Sequence, residues 1–384
     1  MKILHAIQST DPTRGGPLEG ILQIGLATAA QHTHHIVSLD HPNADYLPLL
    51  PIPVMALGPG SILGYSPALV PWLKENLSRF DLVIIHGLWR YISVGTWRAI
   101  RHTRTPYLVM PHGMLDPWFK RQYPMKHVKK WLFWPWTEYR VLRDAKAVIF
   151  TCDEERRLAR ESFWLYRCTE RVGTVGIRGP EVDLPKARER FYGAHPSLRE
   201  KHVLLFLGRL HEKKGCDLLI HAFAQAGAND PHLHLVMVGP CHDGYDQKLR
   251  ALAADRGVAH RITWTGMLVG EMKWGAFAAA QAFVLPSHQE NFGIAVAEAL
   301  SCSTPVLISN KVQIWREIAA DNAGLIAEDT LEGTRDLLMR WLALDATQRG
   351  AMARAARHCF ESRYASQRFA TVMSEIYREA IALA

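Results

Sequence analysis

Two acids eight positions apart, Glu290 and Glu298 in Ser287-His-Gln-Glu290-Asn-Phe-Gly-Ile-Ala-Val-Ala-Glu298, and two cations in Gly208-Arg209-Leu-His-Glu-Lys-Lys214-Gly215 have the types and spacing for chemistry. Arg209 and Lys214 follow the apolar run Val203-Leu-Leu-Phe-Leu207, which reads as a strand, so both fall in a loop at a strand's carboxyl end. Open α/β sheets bind ligands there, and a diphosphate would meet two positive charges. The acids follow a second apolar run, Ala282-Phe-Val-Leu-Pro286, and a polar turn. The helix expected to start around Phe292-Gly293-Ile294 would offer its first amides to an anion and carry Glu298 in its body.

The elements that hold these groups are legible as apolar runs alternating with helical patterns, the signature of mostly parallel sheets with helices on both faces. In the first half, strands are expected at Lys2 to Ile7, His35 to Leu39, Val54 to Leu57, Leu82 to His86, Tyr107 to Met110, Ala147 to Thr151 and Arg171 to Val175. In the second they are expected at Val203 to Leu207, Leu233 to Val238, Ile262 to Thr265, Ala282 to Leu285, Pro305 to Ile308 and Gly324 to Ala327. A charged, proline-containing stretch from Gly179-Pro180 to about Arg199 separates the halves. The domains are therefore expected at 1–180 and 181–366, both Rossmann-like and facing across a cleft, with a terminal helix at 367–384 crossing back to the first.

The chain has 384 residues, 48% hydrophobic and 21% charged, enough for two packed domains and against disorder as the main state. No apolar run approaches the roughly 18 residues of a membrane span, and Met1 to Ile7 is too short for a signal peptide's core, so a cytoplasmic location is expected. Cys152, Cys168, Cys216, Cys241, Cys302 and Cys359 are scattered without a Cys-x-x-Cys pair, which suggests neither a disulfide framework nor a zinc site. The net charge of +8 favours an anionic partner. Charge alone does not choose among nucleic acid, an anionic membrane and a phosphorylated substrate.

In order, Gly208-Arg209-x-x-x-x-Lys214-Gly215, Val238-Gly239-Pro240, Thr265-Gly266, Leu285-Pro286-Ser287 and Glu290-x7-Glu298 resemble the carboxyl-terminal half of the retaining glycosyltransferases of family four. The resemblance spans the second half and is weaker in the first, at Arg14-Gly15-Gly16-Pro17 and Pro111-His112-Gly113. It implies a GT-B fold and a nucleotide-sugar donor, with UDP- or GDP-sugar as substrate. Arg209 and Lys214 would bind the diphosphate. Glu298 would accept hydrogen bonds from the ribose, while Glu290 and the amides of Asn291, Phe292 and Gly293, with Ile294 next, would hold the sugar. Leu268, beside Met267, would lie against the base. His112 would act on the sugar from the first domain, and Gly15 and Gly16 would close over the phosphate or acceptor.

No cofactor or metal is implied. Two fixed cations can stabilise the leaving diphosphate, and the chain has no Asp-x-Asp. A double displacement would need a carboxylate nucleophile such as Glu290. The resemblance casts Glu290 as a hydroxyl-binding group, which favours same-face attack with the departing phosphate taking the acceptor's proton.

One segment, Trp118 to Trp136, alternates cations with large aromatics: Lys126, Lys129 and Lys130 among Trp131, Trp134 and Trp136. Two readings stand open. The segment docks on an anionic membrane at the inner face of the cytoplasmic membrane, the acceptor then being a polyprenyl-diphosphate-linked glycan, or its aromatics pack on the core while its lysines face water. The expected function is hexosyl transfer to a glycan or lipid-linked acceptor in surface or extracellular polysaccharide assembly. The rivals are a sugar-nucleotide epimerase on the same architecture and a nucleic-acid- or membrane-binding protein without transferase activity. Against nucleic acid, the chain has no recognised motif for it and its basic charge is diffuse outside this segment.

Overall fold

A computed structural model describes residues 1–12, 16–58, 64–227, 230–241 and 244–383. The chain forms two compact units, Met1–Gly176 with Ser366–Ala384, and Ile177–Ala365. The sequence reading put the break after Pro180.

The first unit is built on β1 (Lys2–Ile7), β2 (Thr33–Ser38), β3 (Val54–Ala56), β4 (Leu82–His86), β5 (Tyr107–Met110), β6 (Ala147–Phe150) and β7 (Glu170–Val172). They form a parallel sheet in the order β3-β2-β1-β4-β5-β6-β7. A parallel sheet buries both faces, which is why these strands read as apolar runs rather than as alternating ones. One face packs on Leu69, Leu73, Ile92 and Trp97. The other is covered partly by the terminal helix Ser366–Ala382, whose Phe369, Met373, Ile376 and Tyr377 join Ile3, Leu82, Ile84 and Leu108. The expected return of the last helix is therefore present, and it closes a core that Met1–Gly176 alone would leave open to water.

The second unit carries β8 (His202–Leu207), β9 (Leu233–Val238), β10 (Ile262–Gly266), β11 (Ala282–Leu285), β12 (Val306–Ser309) and β13 (Gly324–Ala327). Their order, β10-β9-β8-β11-β12-β13, is that of a six-stranded Rossmann sheet, and all pairs are parallel. The order reverses between β8 and β11, so the loops leaving their carboxyl ends diverge to opposite faces and leave a crevice. In the first sheet the reversal falls between β1 and β4.

Candidate active site

The loop after β8 turns through the short helix Glu212–Lys214 and ends on Gly215, whose φ of 64° lies in the left-handed region. A β-carbon there would collide with the backbone carbonyl of Pro286, so only glycine lets the two switch-point loops touch. The backbone NH of His288 then donates to the carbonyl of Lys213 at 2.9 Å. Across the loop after β12, the NH of Glu290 donates to the carbonyl of Lys311 (3.0 Å) and the NH of Gln313 to the carbonyl of Glu290 (3.1 Å). Glu290 is thus fixed by main-chain bonds on both sides, and its carboxylate pairs with the Lys214 ammonium.

Arg209 is exposed and makes no ion pair among the described residues. Gly293, at φ 81°, caps the helix Ile294–Ser301, and a β-carbon there would press within 3.3 Å of Glu290 Cγ. Phe292 is buried edge-on against Tyr364, with centroids 5.4 Å apart, so its ring is core and only its backbone is available to a ligand. Asn291 and Ile294 are half-buried beside it. Glu298 lies one turn into the helix and pairs with Lys273 at 2.8 Å, a cation that sequence reasoning missed. Lys273 stands on the helix Gly270–Ala279, outside any motif, and only the fold brings it to Glu298. Leu268 follows β10, half-buried between the exposed side chains of Met267 and Val269. The second unit thus gathers Arg209, Lys214, Glu290 and Asn291 to Ile294 on its switch-point loops, with Glu298 and Leu268 on neighbouring elements.

In the first unit, Gly15 lies outside the described residues, and Gly16 begins the helix Gly16–Thr28. His112 follows β5 with a φ of 52°, uncommon for a residue with a side chain. The turn is held by Glu155, which accepts from the NH of Gly113 at 2.6 Å and from the NH and hydroxyl of Thr151, both at 2.7 Å. His112 Nε2 meets His86 Nδ1 at 2.9 Å, His86 Nε2 meets His5 Nδ1 at 2.9 Å, and His5 Nε2 meets His34 Nδ1 at 2.9 Å. The register explains this row. His34 pairs with Ile3, two residues before His5, and His5 pairs with Ile84, two residues before His86, so all three rings share one face and step diagonally across β2, β1 and β4. The row was not foreseen, although part of its signal was present as His5 and His86 inside apolar strand runs and His34 beside another.

Two further groups shape this end of the first unit. Asp40 accepts from the hydroxyl of Ser9 (2.6 Å) and from the NH and hydroxyl of Thr10 (2.6 and 2.7 Å), which pins the loop after β1. Burial opposes its charge, but these bonds outweigh burial and hold the carboxyl below its ordinary value. Glu138 accepts from the Trp89 NH and the Ser93 hydroxyl, both at 2.9 Å, yet burial raises its carboxyl to about 7.

The basic aromatic segment divides. Trp134 is fully buried, stacked on Phe163 at 4.6 Å with its indole NH donated to the carbonyl of Trp164 at 2.7 Å. Its expected place on a membrane or acceptor surface is corrected: both the ring and its polar NH are satisfied inside the core. Trp131 and Trp136 are 44% and 68% exposed, and the helix Pro124–Phe133 buries none of its described residues. Lys126 and Lys129 are exposed, while Lys130 is half-buried over the Trp89 ring at 4.7 Å.

Two family descriptions match the chain, "Glycosyl transferases group 1" over residues 188–358 and "Glycosyl transferase 4-like domain" over residues 15–167. The chain belongs to the group 1 glycosyltransferases. It is similar to the D-inositol 3-phosphate glycosyltransferase of Saccharomonospora viridis, 30% identical over 64% of this chain and 58% of that protein. Two further relatives of that name are matched over 52% and 51% of their lengths, so the chain spans little more than half of these curated relatives. It is also similar to the GDP-mannose:cellobiosyl-diphosphopolyprenol alpha-mannosyltransferase of Xanthomonas oryzae pv. oryzae, 26% identical over 95% of this chain and 93% of that one. Among solved structures, Anabaena Alr3699/HepE in complex with UDP-glucose matches with a TM-score of 0.77 and 18% identity, covering 98% of this chain and 99% of that one. The fold of this glycosyltransferase is therefore GT-B.

The histidine row gives the first unit a pH dependence whose sign follows from burial. Desolvation, then neighbouring rings, lowers His5 and His86 well below 6.5; it lowers His34 to about 4, and desolvation alone lowers His112 to about 4. Below pH 6.5 the unfolded chain binds protons that the folded rings refuse, so stability falls by about 1.4 kcal/mol per pH unit for each ring. Glu138, raised instead, offsets about one ring's worth across much of that window, while His32, His35 and His127 add to the fall. Hydrogen exchange of the β1 and β4 amides should be unaffected by pH above about 7 in its derived stability and should weaken steeply between about 6.5 and 5. Constant stability down to pH 5 would mean that the rings are not held neutral.

Proposed function

We propose that this glycosyltransferase moves a hexose from a nucleotide-sugar to a glycan or polyprenyl-diphosphate-linked acceptor with retention, without a metal. The observation that carries the reading is the Lys214–Glu290 pair at the switch point of the second sheet, with Arg209, which makes no ion pair among the described residues, on the same loop as Lys214. Lys214 trades its carboxylate partner for the donor's diphosphate. Arg209 adds a second charge, which stabilises the phosphate as the bond to the sugar's anomeric carbon breaks. Glu290, released from Lys214, accepts hydrogen bonds from the sugar's hydroxyls, and the amides from Asn291 to Gly293 support the same ligand. Glu298 accepts from the ribose and keeps its charge beside Lys273. Met267 and Val269 offer an apolar platform on which the base rests around Leu268. The acceptor oxygen bonds to the anomeric carbon on the face the phosphate leaves, and its proton passes to a phosphate oxygen. His112, with Gly15 and Gly16, is assigned to the first unit's share of substrate contact.

UDP-glucose in the Anabaena structure and GDP-mannose in the name of the Xanthomonas relative support a nucleotide-sugar donor of either base. That relative's diphosphopolyprenol acceptor supports a lipid-linked one and a place in surface polysaccharide assembly. R209A and K214A should each weaken nucleoside-diphosphate binding by about 1.5 to 3 kcal/mol, roughly 10- to 150-fold, by calorimetric titration. Unchanged affinity in both variants removes these cations from the site.

We also propose that the protein binds peripherally to the inner face of the cytoplasmic membrane. Met125, Val128 and Leu132 stand exposed on the helix Pro124–Phe133 with Trp131 and Phe133, while Lys120, Lys126 and Lys130 line a recess with Tyr123. Among the described residues no helix is long and apolar enough to cross a membrane, so attachment would rest on this surface. Trp131→Ser with Trp136→Ser should release the protein from anionic vesicles while leaving nucleotide affinity unchanged. Full retention by the double variant discards the membrane reading.

A further inference from the structure

Three buried imidazoles and a fourth, half-buried one at His112, joined end to end, must agree on which nitrogen carries each proton. A neutral ring has one donor and one acceptor nitrogen, so the tautomer of each fixes that of the next. No carboxylate bonds to any of the four rings among the described residues, so nothing nearby favours a second proton on them.

The far end of the row sets the direction. Thr28 has one hydroxyl hydrogen, and its oxygen lies 2.8 Å from the Ile24 carbonyl, which can only accept. That hydrogen is therefore committed to Ile24. At the 2.8 Å contact between Thr28 Oγ1 and His34 Nε2, the ring must donate. His34 Nδ1 then accepts from His5 Nε2, His5 Nδ1 accepts from His86 Nε2, and His86 Nδ1 accepts from His112 Nε2. His112 Nδ1 is left with a lone pair, no proton and no hydrogen-bond partner among the described residues.

We infer that Thr28, His34, His5 and His86 form a tautomer relay that holds His112 as a hydrogen-bond acceptor at Nδ1, ready for a hydroxyl donor. With the transferase reading, on which the ligand's identity rests, that donor is a hydroxyl of the transferred sugar or of the acceptor. A phosphate oxygen, which needs a hydrogen to be donated to it, is refused. The left-handed backbone of His112, pinned through Gly113 to Glu155, holds the last ring in line with the row. The terminal helix helps to cover the row's inner end, where Ser374 meets His32 at 3.1 Å and the Tyr377 ring packs edge-on against His32. His5, His34 and His86 are positioning residues, since they act only through His112.

Two-bond proton–nitrogen correlation spectra of the full chain read the tautomer of each ring without donor or acceptor. All four rings should carry the proton on Nε2. Thr28→Val removes the end acceptor and should leave His112 in a mixture of tautomers, slowing transfer roughly twofold as half the molecules hold the wrong form. Nucleotide affinity should not change, and Thr28→Ser should restore both the single tautomer and the rate. A proton on His112 Nδ1 in the natural protein overturns the relay, as does a single unchanged tautomer in Thr28→Val. A relay intact in the spectra with no transfer detectable supports the relay and sinks the transferase reading alone.

Discussion

The approach of two loops at the switch point of the second sheet governs everything that can bind there. Parallel order sends the chain after β8 and after β11 in opposite directions, and the loops can touch only because Gly215 has no side chain to strike Pro286. That contact puts a cation from one loop against an acid from the other. Neither loop alone makes a site. The first offers charge without a shaped partner, and the second offers a fixed acid with nothing to neutralise it. Joined, they form an ion pair whose side chains keep 20% and 19% of their surface open, the pair from which a diphosphate is proposed to draw Lys214.

The two units solve opposite electrostatic problems. In the second, the charges are held in part-covered ion pairs, Lys214 with Glu290 and Lys273 with Glu298, whose side chains keep 13% to 24% of their surface open. In the first, the polar groups are sunk in a parallel sheet, where an unpaired donor or acceptor costs about 1 to 3 kcal/mol. Histidine suits that place because a neutral ring both donates and accepts, so a row satisfies itself from strand to strand without introducing charge. The same burial that stabilises the neutral row makes it vulnerable to acid. The terminal helix matters to both effects, since it helps to keep water from that face.

Much of this was legible in the sequence. Strands of a parallel sheet are apolar on both faces, so runs such as Leu233 to Val238 and Ala282 to Leu285 stood out with their true ends. Arg209, Lys214 and Glu290 could be placed on switch-point loops because each follows such a run within a few residues, and Glu298 could be placed in the helix that follows the second run. Lys273 was not, because its helix carries no local mark of the acid it meets. Trp134 was misread because its sequence neighbours, Trp131 and Trp136, are surface residues, and spacing in a short irregular turn does not say which ring points inward. The histidine row was hidden for a different reason: His5, His34, His86 and His112 are far apart in the chain, and only the register of β1, β2 and β4, with the turn after β5, aligns them.

The central claim is that paired side-chain cations at the second unit's switch point hold a nucleoside diphosphate without help from a metal. Calorimetric titration of the full chain with UDP, GDP and ADP in the presence of EDTA tests it most directly. The account predicts saturable binding of one of the three at one site per chain. Absence of binding to all three, or binding that appears only when a divalent cation is restored, would contradict it.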